Sequence, residues 1–338
     1  MSVMTKTILF ILLCAASFLF AQIDNESIAA DDQFPKWLNS GDVRTEQTSG
    51  IAFLKSENGI KHFIIADDIG AVYKFELNDS SVSAITRINF SDSLSQLLST
   101  FPKQDFEEIV FDKYDNSVYL SIEGNGSEFN KFVGIYHLKF TGLKNPFDKI
   151  ISMDKINFTP AELFYKFTDY NIGYEGVTVD SNYFYLGLEG FTKNKLFADS
   201  AIIFIANKSN KEIVKTISTK QLGIHTICGL YSDRNYSVWG IDRNNRKIFH
   251  ILFDEDFDVQ SCSRYDFVST IPAYKNFTYL ASLESITMDD ENNLYLIDDP
   301  WSQVFIPSDE ILDQLDDETV KNFKDIIPVI FKFKIKNK

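Results

Sequence analysis

FEEIVFD at residues 106–112 returns as YEGVTVD at 174–180 and as LESITMD at 283–289, with weaker copies ICGLYSD at 227–233 and TSGIAFL at 48–54. Fourteen to eighteen residues after the second position of each copy, an acid closes an apolar, strand-like run: IIADD, VYLSIE, FYLGLE, VWGID and LYLID. The second positions are Ser49, Glu107, Glu175, Cys228 and Glu284, giving spacings of 58, 68, 53 and 56 residues. Self-similarity at that period, with several short strands in each unit, indicates a β-propeller rather than a solenoid. The unequal spacing implies insertions between blades.

Each unit divides into strands on the same plan. Strand a is the seven-residue motif, followed by the turn formers KYDN, SN, RN or DENN, whose Asn and Asp side chains suit tight turns. Strand b ends on the acid, strand c is alternating or β-branched, and an outer strand d follows. The last unit runs out of chain after strand c. The segment from Gln33 to Gln47 is therefore expected to supply its outer strand and close the ring, removing open sheet edges. Insertions at DSLSQLLSTF (92–101), PAELFYKF (160–167) and SDEILDQLDDETVKNFKD (308–325) read as helical. The expectation is an all-β, five-bladed propeller of four-stranded antiparallel blades. A six-bladed ring with one degenerate member stays open, because about 63 residues per unit exceeds the roughly 40–50 of common propeller repeats.

Residues 1–21 combine Lys6 with the apolar run ILFILLCAASFLF and Ala21, the layout of a signal peptide. The run is about 13 residues, against roughly 20 for a membrane-spanning helix. The domain is accordingly placed at 22–338 and the protein is expected to be exported, without a transmembrane span. Cys14 interrupts the apolar run, which continues to Phe20, so lipid attachment there is not the expectation. Of the remaining cysteines, Cys228 falls on an innermost strand and Cys262 on an outermost one. Two free, buried thiols are expected.

The formal charge of −15 argues against a nucleic-acid partner, since a phosphate backbone is bound by surplus Lys and Arg. A monomer binding a small molecule, a glycan or a protein on one face is expected instead. Strand a lines the channel of a propeller, so Glu107, Glu175 and Glu284 should converge from three blades. Like charges crowded in a mouth raise one another's pKa or demand a counter-ion. Calcium, a hard cation taking six to eight oxygen ligands, is the natural candidate. Zinc and copper are poor fits, because no His or Cys pair has ligand spacing. The acids ending strand b, Asp67, Glu123, Glu189, Asp242 and Asp298, occur in every unit and read as acceptors for turn amides. His225 precedes a strand a on the glutamate face and is a candidate general base. Arg243 and Arg246 either hold an anionic substrate or neutralise the acids.

The Glu-Gly-Ile/Val-x-x-Asp strand followed by an aromatic-rich strand ending in Glu or Asp resembles the SdiA-regulated and phytase-like esterase family of secreted bacterial propellers. It is more distantly similar to calcium-dependent lactonase propellers. YEGVTVD is the closest copy; Glu108 and Ser285 replace its glycine elsewhere, and ICGLYSD lacks the acid. The resemblance implies a propeller with an axial calcium and is compatible with hydrolysis of a phosphoester, ester or lactone. A structural calcium in a non-catalytic propeller is the alternative.

Overall fold

A computed structural model describes residues 26–337 apart from 42, 79–80, 126, 142–146, 191–200 and 301–304. The stretch read as a signal peptide and Cys14 lie outside the described residues. The fold is a five-bladed β-propeller. Strands a are Thr48–Glu57, Phe106–Asp112, Tyr174–Val179, Gly229–Tyr231 and Leu283–Met288. They contact one another in the order 1–2–3–4–5–1, so the ring is closed. Strands b are Ile60–Asp67, Ser117–Ile122, Tyr183–Leu188, Ser237–Asp242 and Asn293–Asp298. Outside them lie strands c, and in blades 1 to 4 the outer strands Val82–Arg87, Lys149–Lys155, Ile213–Ser218 and Val259–Asp266.

The outer edge of the fifth blade differs from expectation. Strand c, Val329–Asn337, pairs with Glu26–Ala30 along residues 333–337 and with Lys36–Trp37 only at residues 329–330. Most of the closing strand thus comes from upstream of Gln33. The chain breaks away at 31–35 because Pro35 carries no N–H for the ladder. There Asp31 is instead held by Lys332 and Lys334, at 3.3 and 3.0 Å, and Phe34 packs edge-on against Tyr295.

The three insertions read as helical are so, though shorter, and a further short helix not expected from sequence lies at 129–132: α1 Asp92–Leu98, α2 Phe129–Phe132 (the unexpected one), α3 Ala161–Phe164, α4 Asp309–Leu312 and α5 Asp317–Lys324. The region from Ser308 makes two helices, not one, because Asp316 starts α5 by accepting the Thr319 amide at 2.8 Å. Cys228 and Cys262 form no disulfide; Cys228 is buried as expected, whereas Cys262, on an outer strand, is only half-buried.

Five apolar clusters hold the ring, one for each blade interface. The aspartate ending strand a ties the a–b turn. Asp180 accepts the amides of Asn182 and Tyr183 at 2.7 Å and the buried Tyr185 hydroxyl at 2.7 Å. Asp289 repeats this with Glu291, Asn293 and Tyr295.

Two local features position the site. In blades 1, 2, 3 and 5 the a–b register slips at the second motif position, a β-bulge at Ser49, Glu107, Glu175 and Glu284. A bulge releases its extra residue from the pleat and re-aims the side chain. The third position, by contrast, is where the inner strands crowd together at the axis. A Cβ on Gly50 would lie 2.4 Å from Ile109 N and 2.6 Å from Glu107 O, both backbone atoms. Gly50→Ala is therefore expected to force blades 1 and 2 apart and cost about 2–3 kcal/mol or more in urea unfolding. A cost under about 0.5 kcal/mol would contradict this packing.

Candidate metal centre at the channel mouth

The starts of strands a and the ends of strands b meet at one mouth of the channel, and acids gather there. Asp105, Glu107 and Glu123 present carboxylate oxygens within 4.8 Å of one another. A second group within the same reach combines Glu175, Glu284 and the Cys228 thiol. The three glutamates singled out from the motif therefore share one mouth but divide between two groups, Glu107 in the first and Glu175 with Glu284 in the second. Charge links the groups, for Glu107 is raised by Glu284, and Glu175 by both Glu107 and Glu284.

Asp68 and Asp299 complete the rim. Burial, then the charge of Glu284 and Asp68, pushes Asp299 up to about 8. Burial raises Asp68 as well, against the pull of Lys103. Glu284 lies at about 7, lifted by burial and held back by Arg243. Glu107 and Glu175 stand well above the carboxylate range, from burial first and then from Glu123 and Glu189 respectively. Against these acids stand two cations among the described residues. Lys103 pairs with Asp105 and, at 3.2 Å, with Asp68. Arg243 donates to Glu284 and, at 2.7 Å, to Glu189.

The donors fit a hard cation. The Glu107 group is all oxygen, and Asp68 Oδ1, Glu175 Oε2 and Asp299 Oδ1 are buried with no hydrogen-bond partner. A buried carboxylate oxygen without a donor costs free energy that a cation would recover. The thiol and the guanidinium set the Glu175–Glu284 group apart.

His225 is half-buried, and its backbone amide, at 2.8 Å, is held by Asp242. Arg246 sits exposed at φ +50° in the b–c turn, its N–H on Arg243 O at 3.1 Å. The strand-b acids separate by residue type. Asp67 accepts the amides of Glu46, Gln47 and Ile69, Asp242 those of His225, Thr226 and Asn245, and Asp298 that of Val329. These three aspartates tie backbone. The longer Glu123 and Glu189 reach into the mouth instead.

Asp68, Asp105 and Asp299 were not among the residues picked out by sequence, although Asp68 and Asp299 stand in register one place after the strand-b acid. Glu108 was noted only as a replaced glycine. It is 1 % exposed and fills the axis below the mouth. Its Oε1 accepts from the Ile109 amide (3.1 Å) and from the Ser285 hydroxyl (2.6 Å), and Ser285 Oγ in turn accepts the Ile51 amide at 3.0 Å. Strands a of blades 1, 2 and 5 are thus tied together through Glu108 and Ser285. Below it, a cavity of about 180 Å³ lined by Ile51, Phe53, Ile109, Leu230, Ile286 and Met288 opens toward the other face.

Solved structures with the same general architecture include the PQQ-bound aldose sugar dehydrogenase of Streptomyces coelicolor (9 % identity, 93 % of this chain and 99 % of that one, TM-score 0.48). Others are Myxococcus xanthus glutaminyl cyclase (8 %, 92 % and 97 %, 0.48) and a luciferin-regenerating enzyme (12 %, 91 % and 95 %, 0.45). Similarity at this level concerns the fold and says nothing of chemistry. No protein-family model and no curated protein sequence matches the chain.

Proposed function

We propose that the acidic mouth binds calcium and that the protein is an exported, calcium-dependent hydrolase of a phosphoester, ester or lactone, akin to the phytase-like esterase propellers its motif resembles. The observation that carries the reading is the set of buried, donorless oxygens on Asp68, Glu175 and Asp299 beside the all-oxygen group of Asp105, Glu107 and Glu123. The latter three would hold the ion, with Glu175 and Glu284 adding to its field. Calcium would supply Lewis-acid polarisation of the substrate. Proton transfer is open to the protein's own groups, because Glu284 at about 7 exchanges its proton near neutrality. Residues 1–21 would direct export.

The pH dependence tests the ion. An acid whose pKa rises on folding binds extra protons in the folded state, so its stabilising contribution is complete below the unfolded value and fades as pH climbs through the folded one. For Glu284 and Asp299 that window runs from roughly pH 4 to the values near 7 and 8. In chelator, Tm is expected to fall across the window. With calcium the fall should flatten, since the ion replaces the protons. Identical profiles with and without calcium would overturn the metal reading. A panel of phosphate, carboxylic and lactone esters then decides catalysis: turnover that needs calcium supports the hydrolase, and calcium binding without turnover leaves the mouth as an ion-stabilised surface for a glycan or protein.

A further inference from the structure

The residue one place after the strand-b acid is Asp68 in blade 1, Gly124 in blade 2, Gly190 in blade 3 and Asp299 in blade 5, but Arg243 in blade 4. Blade 4 is also the one whose motif carries Cys228 where three others carry glutamate. One blade therefore withdraws a carboxylate from the mouth and adds a guanidinium, at a rim position that two other blades fill with acids.

That guanidinium lies among the Glu175 group. One terminal nitrogen donates to Glu284 and the other to Glu189, and Glu175 and Cys228 act on it through charge. With Glu175, Glu284 and Cys228 presenting ligand atoms within 4.8 Å, the group has the spacing of a cation site whose place is already taken. Glu175 Oε2, buried and without a hydrogen-bond donor, marks the oxygen of the group that Arg243 does not reach. An arginine is suited to this because it stays protonated at any relevant pH and offers a rigid fork to two carboxylates at once.

We propose that Arg243 is an internal counter-ion occupying the place of a second divalent cation, so that the mouth binds one calcium, at the Asp105, Glu107 and Glu123 group, and not two. The inference rests on the calcium reading of the same mouth. It adds that the stoichiometry is set by one residue of the blade that breaks the motif.

The experiment is equilibrium dialysis of the full chain against calcium at pH 7.5, with protein-bound metal counted, on the wild type, Arg243→Lys and Arg243→Met. One calcium is expected for the wild type and for the lysine variant, and two for Arg243→Met, the second disappearing when Glu284→Gln is added. Arg243→Met should also depend more steeply on calcium for its Tm than the wild type does. Should it fail to refold in chelator yet refold in calcium, the proposal is supported. Should it fail in both, the charge-balanced pair Glu189→Gln with Arg243→Gln takes its place, and the count of two or one decides. A single calcium in the arginine-free protein overturns the counter-ion role. A wild type that binds none overturns the calcium reading itself, so the two failures are distinguishable.

Discussion

Glu107→Gln is expected to abolish the calcium-dependent rise in Tm without lowering the Tm measured in chelator. An ion present at 100 times its Kd stabilises the folded state by about 2.7 kcal/mol, which for a chain of this size corresponds to roughly 5 °C. In the variant the shift should shrink to under about 1 °C. The chelated state should hold or gain, because a neutral amide replaces a carboxyl group that burial and Glu123 already push well above its ordinary pKa. That combination separates a ligand from a merely structural residue, whose loss would lower both curves. A calcium shift in Glu107→Gln as large as in the wild type would remove Glu107 from the site.

The second large effect belongs to the axis. Glu108→Ala strips the acceptor from the Ile109 amide and from the Ser285 hydroxyl and leaves a hole where the inner strands converge. Deleting buried side-chain volume and orphaning buried donors each cost a few kcal/mol. The expected loss is about 3–5 kcal/mol in urea unfolding, roughly 6–10 °C in Tm. Glu108→Gln should cost only about 1 kcal/mol, since one acceptor oxygen remains and the carboxyl group is held toward its neutral form by burial. A Glu108→Ala variant within 0.5 kcal/mol of the wild type would show that the axis is held by backbone packing alone.

Much of the architecture was legible because the motif is periodic and its burial pattern is forced. The seven-residue copies became strand a, the acid-terminated runs strand b, and the Asn-rich segments turns, with Asn116 and Asn292 in the left-handed conformation such residues tolerate. The closing strand was placed too late in sequence because ESIAA carries no motif of its own; only its pairing with residues 333–337 identifies it. At the mouth, residue type at the second position pointed to Glu107, Glu175 and Glu284, yet their division into two groups depends on the neighbours each meets, Asp105 and Glu123 beside one and Cys228 beside the other two, which the motif does not record. The difference between Asp and Glu at the end of strand b was visible and carried the information. An aspartate is short enough to stop at neighbouring backbone amides, whereas Glu123 and Glu189 reach past them into the mouth. Glu108 illustrates the opposite case, an exception to the glycine of the motif whose meaning appears only when the strands are wrapped round an axis.

The pairing of Glu26–Ala30 with Val329–Asn337 has a consequence for biogenesis. The two partners of the latch lie far apart in the sequence, so during vectorial synthesis the upstream segment must wait for the downstream one to emerge before it finds its mate. Until then the nascent wheel presents an unlatched rim able to zip onto another copy. Pairing of Val329–Asn337 with Glu26–Ala30 is thus the step that removes the open rim.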